Sequence, residues 1–286
     1  MPIKQLVSNK TILDKAKDEH YAVGGFNFNN LEFLQGIIEG AVEMKSPLIL
    51  QAASSQIDYM GANYVVGLVE AALKDIDIPV SLHLDHGGSL ETVMKCIELG
   101  FSSVMFDGSK YPYRENIRLT KKVVEIAHDK GISVEAELGK IGGTEDDVSV
   151  DLKSASFTDP DEAAEFVEKT GIDALAISIG TAHGVYKGIP KLDFERLKII
   201  NSRLDIPLVL HGASGVSDED IKKAVSLGIN KVNIHTDYML VFTKAIKDLF
   251  ETNPEVYDLR EYCALGKEAI KLKAIEKIKL LGSNIK

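Results

Sequence analysis

Short apolar runs recur along the whole chain, and polar or glycine-containing stretches bound them. Runs of this length are typical of buried strands. There are eight: YAVGGFNF (21–28), PLILQAA (47–53), PVSLHLD (79–85), SSVMFDG (102–108), SVEAELG (133–139), ALAISIG (174–180), PLVLHGA (207–213) and KVNIHT (231–236). Between most of them, apolar residues return every three or four positions, as in LEFLQGIIEGAVEM, which predicts amphipathic helices.

Eight successive strand–helix units predict an α/β protein with the (β/α)8 TIM-barrel fold. A doubly wound open sheet is the alternative, but that fold does not require so regular a count. No Pro-, Gly- or Ser-rich linker and no low-complexity block divides the chain. We therefore expect residues 1–286 to form a single barrel domain with a C-terminal helical extension.

Polar and titratable residues gather where the predicted strands end. In a barrel enzyme, the carboxyl ends of the strands form the face that carries the chemistry. The residues found there are Asn27, Asn29, Asp85, His86, Asp107, Glu135, Glu137, His183, His211, Asn233 and His235. We expect these side chains to converge on one site.

Three histidines in this set suggest a metal. Neutral imidazole is the commonest zinc ligand, and a catalytic zinc takes three protein ligands and keeps one open position. His86, His183 and His211 could supply these ligands, and each is followed by glycine. Strand alternation points His83 into the barrel as well, and DIPVSLH (77–83) matches DIPLVLH (205–211), so the pattern alone leaves the choice between His83 and His86 open.

Two glycine-rich loops are typical of anion sites. GTAHGVYKG (180–188) contains a lysine, and HGASG (211–215) precedes a helix that Ser217 and Asp220 could open as a capping box. Free N–H groups at such a helix N-terminus attract phosphate, and the loops after barrel strands seven and eight are a frequent phosphate site. The sequence therefore predicts a phosphorylated substrate beside the metal.

Composition narrows the class of protein. The formal net charge is −10, which disfavours nucleic acid as a partner because such a protein needs a basic face. The two cysteines, Cys96 and Cys263, lack the spacing of a cysteine zinc site and are too few for a disulfide framework. The segment MPIKQLVSNK has no apolar signal core, and no apolar run is long enough to span a bilayer. We expect a cytoplasmic protein without a membrane partner.

The chain resembles the class II, metal-dependent fructose-1,6-bisphosphate aldolases, the shorter branch of the ketose-bisphosphate aldolase family. The resemblance rests on segments that follow one another in the family's order: YAVGGFNFNNLEF, HLDHG, SSVMFDGS, VEAELGKIGGTEDD, GTAHGVYKG, LVLHGASG, KVNIHTD and YDLREY. It implies zinc-dependent, reversible cleavage of fructose 1,6-bisphosphate to dihydroxyacetone phosphate and glyceraldehyde 3-phosphate. Tagatose-1,6-bisphosphate or another ketose phosphate is the alternative substrate, because aldolases for those sugars share most of these segments.

The resemblance also implies roles for individual residues. It assigns the zinc to His86, His183 and His211 and leaves His83 beside them. It makes Asp85 and Glu145 the proton-transfer carboxylates, with Glu145 in a mobile lid over 138–151. Asp107 and Glu137 match the position of a second cation, divalent or monovalent.

The remaining roles implied by the resemblance concern the substrate. The expected contacts are Asn27, Gly184, Lys187, Gly212, Ser214, Asn233, His235 and Thr236. Arg260 matches an arginine that reaches into the neighbouring subunit's site, which implies a homodimer or homotetramer.

Three residues depart from the family's usual pattern. Ala53 stands where serine is usual, Ala213 where glycine is common, and His235 where aspartate or asparagine is expected. The resemblance implies that these positions face the sugar or its phosphate, so they leave the preferred substrate open. Two other classes of function would suit the same residues without the resemblance: a metal-dependent hydrolase or isomerase on this barrel, and a non-catalytic sugar-phosphate-binding protein.

Overall fold

Eight parallel strands close into a barrel. The structure, a computed structural model, describes residues 6–145, 148–150, 155–184, 186 and 188–286. The barrel strands are β1 (Val23–Asn27), β2 (Leu48–Ala53), β3 (Val80–Gly87), β4 (Ser103–Phe106), β5 (Ser133–Leu138), β8 (Ala174–Ile177), β10 (Leu208–Leu210) and β11 (Ile229–Ile234). Neighbouring strands are hydrogen-bonded in the order β1-β11-β10-β8-β5-β4-β3-β2, and the circle closes between β2 and β1. Each strand overlaps one of the eight predicted runs, which confirms the (β/α)8 prediction and excludes the open sheet.

A second, smaller sheet stands at the carboxyl end of the barrel. Its strands are β6 (Gly142–Glu145), β7 (Val148–Val150) and β9 (Ala182–His183). β6 pairs antiparallel with β7 and parallel with β9, so that Gly143 is opposite His183. Within the predicted lid, β6 and β7 are therefore paired strands, and β6 lies against the strand that carries His183; residues 146–147 and 151 of that lid lie outside the described residues.

Helices surround the barrel and extend it at the C-terminus. They are α1 (Asn9–Asp18), α2 (Leu31–Met44), α3 (Ser54–Met60), α4 (Ala62–Ala72), α5 (Leu90–Leu99), α6 (Tyr113–His128), α7 (Pro160–Thr170), α8 (Phe194–Arg203), α9 (Asp218–Ser226), α10 (Thr236–Thr252) and α11 (Leu259–Leu281), with a 3₁₀ turn at Leu73–Asp75. In the described part of the chain, none of them combines the length and hydrophobicity needed to cross a membrane.

Strand alternation divides the interior into two kinds of surface. Along β3, Val80, Leu82 and Leu84 belong to the large apolar core of buried strand and helix residues. The alternate residues His83 and Asp85 are polar and equally buried. Because buried polar groups must find partners, the interior of this barrel depends on hydrogen bonds and ion pairs as well as on apolar packing.

The C-terminal helix α11 packs closely on α2 through two glycines. A methyl group built on Gly36 would lie 2.6 Å from the carbonyl oxygen of Lys267, and one on Gly40 would lie 2.9 Å from Cβ of Ala274. Two ion pairs cross the same contact, Lys267 with Glu39 at 2.9 Å and Lys271 with Glu43 at 2.8 Å. The absence of side chains at these glycines lets the two helix backbones approach one another.

Gly36→Val is expected to lower the free energy of unfolding by about 1–3 kcal/mol, because the added side chain forces α11 away from α2. Gly67→Ala is the matched control: Gly67 lies exposed in α4 with nothing near its Cβ position, so alanine should stabilise by about 0.5–1 kcal/mol through helix propensity. Urea unfolding monitored by circular dichroism measures both. Equal stability of Gly36→Val and the parent would contradict the close-contact account.

Candidate active site

Three imidazole rings meet at the carboxyl end of the barrel. His86 is the penultimate residue of β3, His183 lies in β9, and His211 directly follows β10. One nitrogen of each ring lies within 4.8 Å of the others, and all three residues are buried. His211 Nδ1 is 2.9 Å from His86 Nε2. This donor set of three converging imidazole nitrogens fits a zinc ion with an open coordination position.

The backbone at His86 explains why this histidine, and not His83, joins the cluster. Simple alternation would turn His86 away from the barrel axis. Instead, the strand register shifts between Leu84 and Gly87, and His86 adopts φ +47°, in the left-handed region that non-glycine residues seldom occupy. His83 remains deeper, with Nδ1 2.9 Å from Ser103 Oγ.

Two of the rings, those of His211 and His86, are each hydrogen-bonded to a carboxylate on the side away from the cluster. Glu135 Oε1 lies 2.9 Å from His211 Nε2, and Asp107 Oδ2 lies 3.1 Å from His86 Nδ1. Each carboxylate accepts a hydrogen bond from one ring nitrogen and leaves the other, His211 Nδ1 or His86 Nε2, facing the centre of the cluster. This arrangement sets the tautomer and the direction of a ligand ring.

Glu135 is itself bound by a lysine in the barrel interior. Lys231 Nζ lies 2.8 Å from Glu135 Oε2, and both side chains are almost fully buried. Burial alone would raise the pKa of Glu135, but Lys231 and His211 outweigh it and hold that pKa below its usual range. Burial and the Lys231 charge lower the pKa of the neighbouring His83 to about 3, so its ring is neutral.

His86 also belongs to a second cluster, with Asp107 and Glu137, whose ligand atoms again lie within 4.8 Å of one another. Burial and the nearby Asp107 raise the pKa of Glu137 to about 8. Burial would lower the pKa of His86, but Asp85 and Asp107 outweigh it and raise that pKa to about 10. A cation entering either cluster would therefore displace a proton, and its affinity should rise with pH.

Asp85 receives three amide hydrogen bonds. Asn27 Nδ2 and Gln51 Nε2 donate to Oδ2 at 3.0 and 3.2 Å, and Asn233 Nδ2 donates to Oδ1 at 3.0 Å. Burial would raise the pKa of Asp85, but the neighbouring His86, His211 and Lys231 outweigh it and lower that pKa. An ionised carboxylate held in one orientation beside the imidazole cluster can accept a proton from a bound substrate.

His235 continues this network of amides. Gln56 Oε1 accepts hydrogen bonds from Ala53 N at 2.8 Å and from Asn27 Nδ2 at 3.3 Å, which directs Gln56 Nε2 to His235 Nε2 at 3.1 Å. Asn29 Nδ2 lies 3.3 Å from the same ring nitrogen. Two amide donors converge on Nε2, so this nitrogen accepts and the ring is neutral with its proton on Nδ1.

The two glycine-rich loops are held against each other. Tyr186 Oη accepts a hydrogen bond from Ala182 N at 2.7 Å and donates one to Gly212 O at 2.8 Å. Gly212 has φ +65°, and a Cβ there would meet the carbonyl group of Ala182. Glycine at this position permits the close approach of the loops that carry His183 and His211.

Two of the expected phosphate contacts, Ser214 and Thr236, lie at the start of α10. Thr236 is the first residue of α10, and Ser214 Oγ accepts a hydrogen bond from Asp237 N at 3.3 Å, which joins the loop after β10 to this helix. Gly184 follows His183 in the neighbouring loop. Lys187 and the side chain of Glu145 lie outside the described residues.

Arg260 stands apart from these contacts. Its side chain is 88% exposed at the start of α11, where it pairs with Asp258 at 2.6 Å. An arginine so exposed is available to a second copy of the chain.

Comparison with known proteins gives the family. The family model described as "Fructose-bisphosphate aldolase class-II" matches residues 7–286. The chain belongs to the class II fructose-bisphosphate aldolase family. Curated relatives include a fructose-bisphosphate aldolase of Staphylococcus aureus, 47% identical over 282 residues, and a sulfofructosephosphate aldolase of Alkalicoccus urumqiensis, 46% identical over 280 residues; each match covers 98% of both chains. The crystal structure of the YdjI aldolase from Escherichia coli K12 superposes with a TM-score of 0.87, at 40% identity and 98% coverage of both chains.

Sequence reasoning missed several residues that shape the site of this aldolase. Gln51 and Gln56 contact Asp85 and His235, while Lys231 binds Glu135, the strand-end carboxylate that the sequence did indicate and that contacts His211. A signal for two of them was present: Gln51 interrupts the apolar run PLILQAA, and Lys231 shares a strand face with Asn233. Gln56 lies in a helix after β2, and no periodicity indicates where its amide points.

Glu135→Gln is expected to weaken zinc binding about 10–100-fold, because a neutral amide holds His211 Nε2–H less strongly and leaves Lys231 without its counter-charge. Calorimetric titration of zinc into the metal-free protein measures the change. Ser103→Ala is the control, since it removes a hydroxyl that contacts His83 and not the three-histidine cluster. If a folded Glu135→Gln protein bound zinc as tightly as the parent, Glu135 would not orient His211.

Proposed function

We propose that this aldolase cleaves fructose 1,6-bisphosphate reversibly to dihydroxyacetone phosphate and glyceraldehyde 3-phosphate, with one zinc ion held by His86, His183 and His211. The observation that carries the proposal is the convergence of three imidazole nitrogens beside an ionised, amide-held Asp85. A zinc ion bound there would polarise the ketone carbonyl and stabilise the negative charge that develops on its oxygen. Family membership favours this aldol chemistry over the hydrolase, isomerase and binding-protein alternatives.

The chain's carboxylates would move the protons of the reaction. As the bond between C3 and C4 breaks, its electron pair passes to the dihydroxyacetone phosphate half, and Asp85 takes the proton of the C4 hydroxyl. The C4 half leaves as the aldehyde. Glu145 then supplies the proton that C3 requires to give neutral dihydroxyacetone phosphate. In the condensation direction, each carboxylate reverses its role.

The substrate's phosphate would bind at the start of α10 and the loops before it. Gly184, Gly212, Ser214 and Thr236 can present backbone N–H or hydroxyl donors to phosphate oxygens, and Lys187 would add a positive charge. Asn27, Asn233 and His235 would contact the sugar. Asp107 and Glu137, with His86, would hold the second cation.

A related ketose phosphate is the second candidate substrate. His235 presents a neutral ring where the family usually has aspartate or asparagine, and Gln56 and Asn29 hold that ring in place. One relative at 46% identity is named a sulfofructosephosphate aldolase. A substrate whose distal anion differs from phosphate, or tagatose-1,6-bisphosphate, would therefore suit the same machinery.

We further propose that the enzyme is a homodimer or homotetramer in which Arg260 reaches the site of a neighbouring copy. The exposure of this arginine and of large apolar side chains close to it in the chain supports an interface there; these are Tyr257, Leu259 and Leu265. A cytoplasmic location, and the absence of nucleic-acid and membrane partners, remain predictions from sequence.

Release of triose phosphate from fructose 1,6-bisphosphate should stop when the metal is removed with a chelator and return when zinc is added, because His86, His183 and His211 provide no carbonyl activation themselves. A coupled assay with glycerol-3-phosphate dehydrogenase measures the product, and tagatose-1,6-bisphosphate and sulfofructose phosphate are compared in parallel. Full turnover in protein with no measurable metal would contradict the mechanism. Faster cleavage of either alternative sugar would change the preferred substrate but keep the mechanism.

Asp85→Asn should retain zinc but lose about 2–4 orders of magnitude in kcat, since an amide cannot accept the C4 hydroxyl proton. Asp173→Asn is the control: it alters a carboxylate that pairs with His128 outside the active site and should leave kcat unchanged. Rates come from the coupled assay and metal content from elemental analysis. A kcat near that of the parent would reduce Asp85 to a residue that only supports its neighbours.

A further inference from the structure

An acidic side chain stands where the proposed phosphate site needs positive potential. Asp237 is the second residue of α10, and its backbone N–H is bonded to Ser214 Oγ in the proposed phosphate loop. The positive end of a helix attracts an anion, and a carboxylate in the first turn weakens that attraction by adding like charge. Left unpaired, Asp237 would oppose the binding of a phosphate beside Ser214 and Thr236.

A lysine from the C-terminal helix compensates this charge. Lys277 of α11 places Nζ 2.7 Å from Asp237 Oδ2, and the two side chains are only 11% and 18% exposed. The pair borders a small enclosed space between α11 and the carboxyl ends of the barrel strands, with Ala213 and Ile234 among its walls. Because water is largely excluded, the charges of this pair are screened less than those of a surface pair.

Mechanical attachment alone does not require this lysine. Lys267 and Lys271 already tie α11 to α2 through Glu39 and Glu43. The glutamate partners of those two lysines belong to α2, which carries none of the proposed phosphate contacts. Lys277 differs because its partner belongs to the helix whose N-terminus faces the proposed phosphate.

We propose that Lys277 is a positioning residue that neutralises Asp237 and so maintains the affinity of the α10 N-terminus for the substrate's phosphate. The inference rests on the proposed aldolase function and deepens it, because it makes the C-terminal helix part of substrate binding. Lys277 acts through its charge, so substitutions of the two partners of the pair should have opposite effects on phosphate binding. Loss of Lys277 leaves a negative charge near the phosphate, whereas loss of the Asp237 charge leaves a positive one.

The test compares Lys277→Met with Asp237→Asn in the zinc-loaded, full-length protein. Lys277→Met should raise KM for fructose 1,6-bisphosphate roughly tenfold, the scale of a charge beside a helix terminus, with little change in kcat. Asp237→Asn should leave KM unchanged or lower it. Lys271→Met is the matched control, because it removes the same charge from the same helix but leaves the Asp237 pair intact, and its KM should equal that of the parent.

Calorimetric binding of inorganic phosphate to the same proteins separates this inference from the proposed function. Lys277→Met should weaken phosphate binding by the same factor, and this result would stand even if the parent cleaved no ketose phosphate. The double variant Asp237→Asn/Lys277→Met restores neutrality and should bind phosphate like the parent, which keeps the test decisive if Lys277→Met alone fails to fold.

Three results would overturn the inference. The first is parent-like phosphate binding in a folded Lys277→Met protein. The second is equal weakening by Lys277→Met and Asp237→Asn, which would indicate a tether rather than a charge effect. The third is a double variant that binds phosphate as weakly as Lys277→Met is expected to do, which would mean that the contact itself, and not its charge balance, is needed.

Discussion

The site depends on one buried carboxylate. Glu135 lies inside the barrel, where its charge is tolerated because Lys231 Nζ and His211 Nε2 both bind it. A buried charge without such partners would be strongly destabilising. The same contacts determine which nitrogen of His211 faces the other two histidines. Stability of the interior and geometry of the proposed metal site are therefore set by the same hydrogen bonds.

Around this centre, neutral amides control the remaining polar groups. Asn27, Gln51 and Asn233 donate hydrogen bonds to Asp85. Gln56 extends this network, because it accepts a hydrogen bond from Asn27 and contacts His235. Amides suit this role because they fix a carboxylate without neutralising it by proton transfer. Asp85 thus stays ionised and held in one orientation, and a substitution at His235 would leave these three amide donors to Asp85 in place.

The barrel and much of the site could be predicted because their signals are local. The alternation of apolar runs with helical periodicity indicated the eight strands, and motifs such as HLDHG and LVLHGASG pointed to His86 and His211. What could not be predicted depends on contacts between distant segments. The left-handed turn at His86 follows from a register shift between neighbouring strands. The pairing of Lys277 with Asp237 follows from how the last helix docks.

The central claim is that the three-histidine cluster binds the catalytic metal through particular ring nitrogens. A crystal structure of the zinc-loaded protein, with anomalous data collected at the zinc edge, tests it most directly. The account predicts one strong peak bonded to His86 Nε2, His211 Nδ1 and a nitrogen of His183, with Glu135 still on His211 Nε2. A peak bonded to His83 in place of His86, or zinc bound through His211 Nε2 with Glu135 displaced, would contradict it.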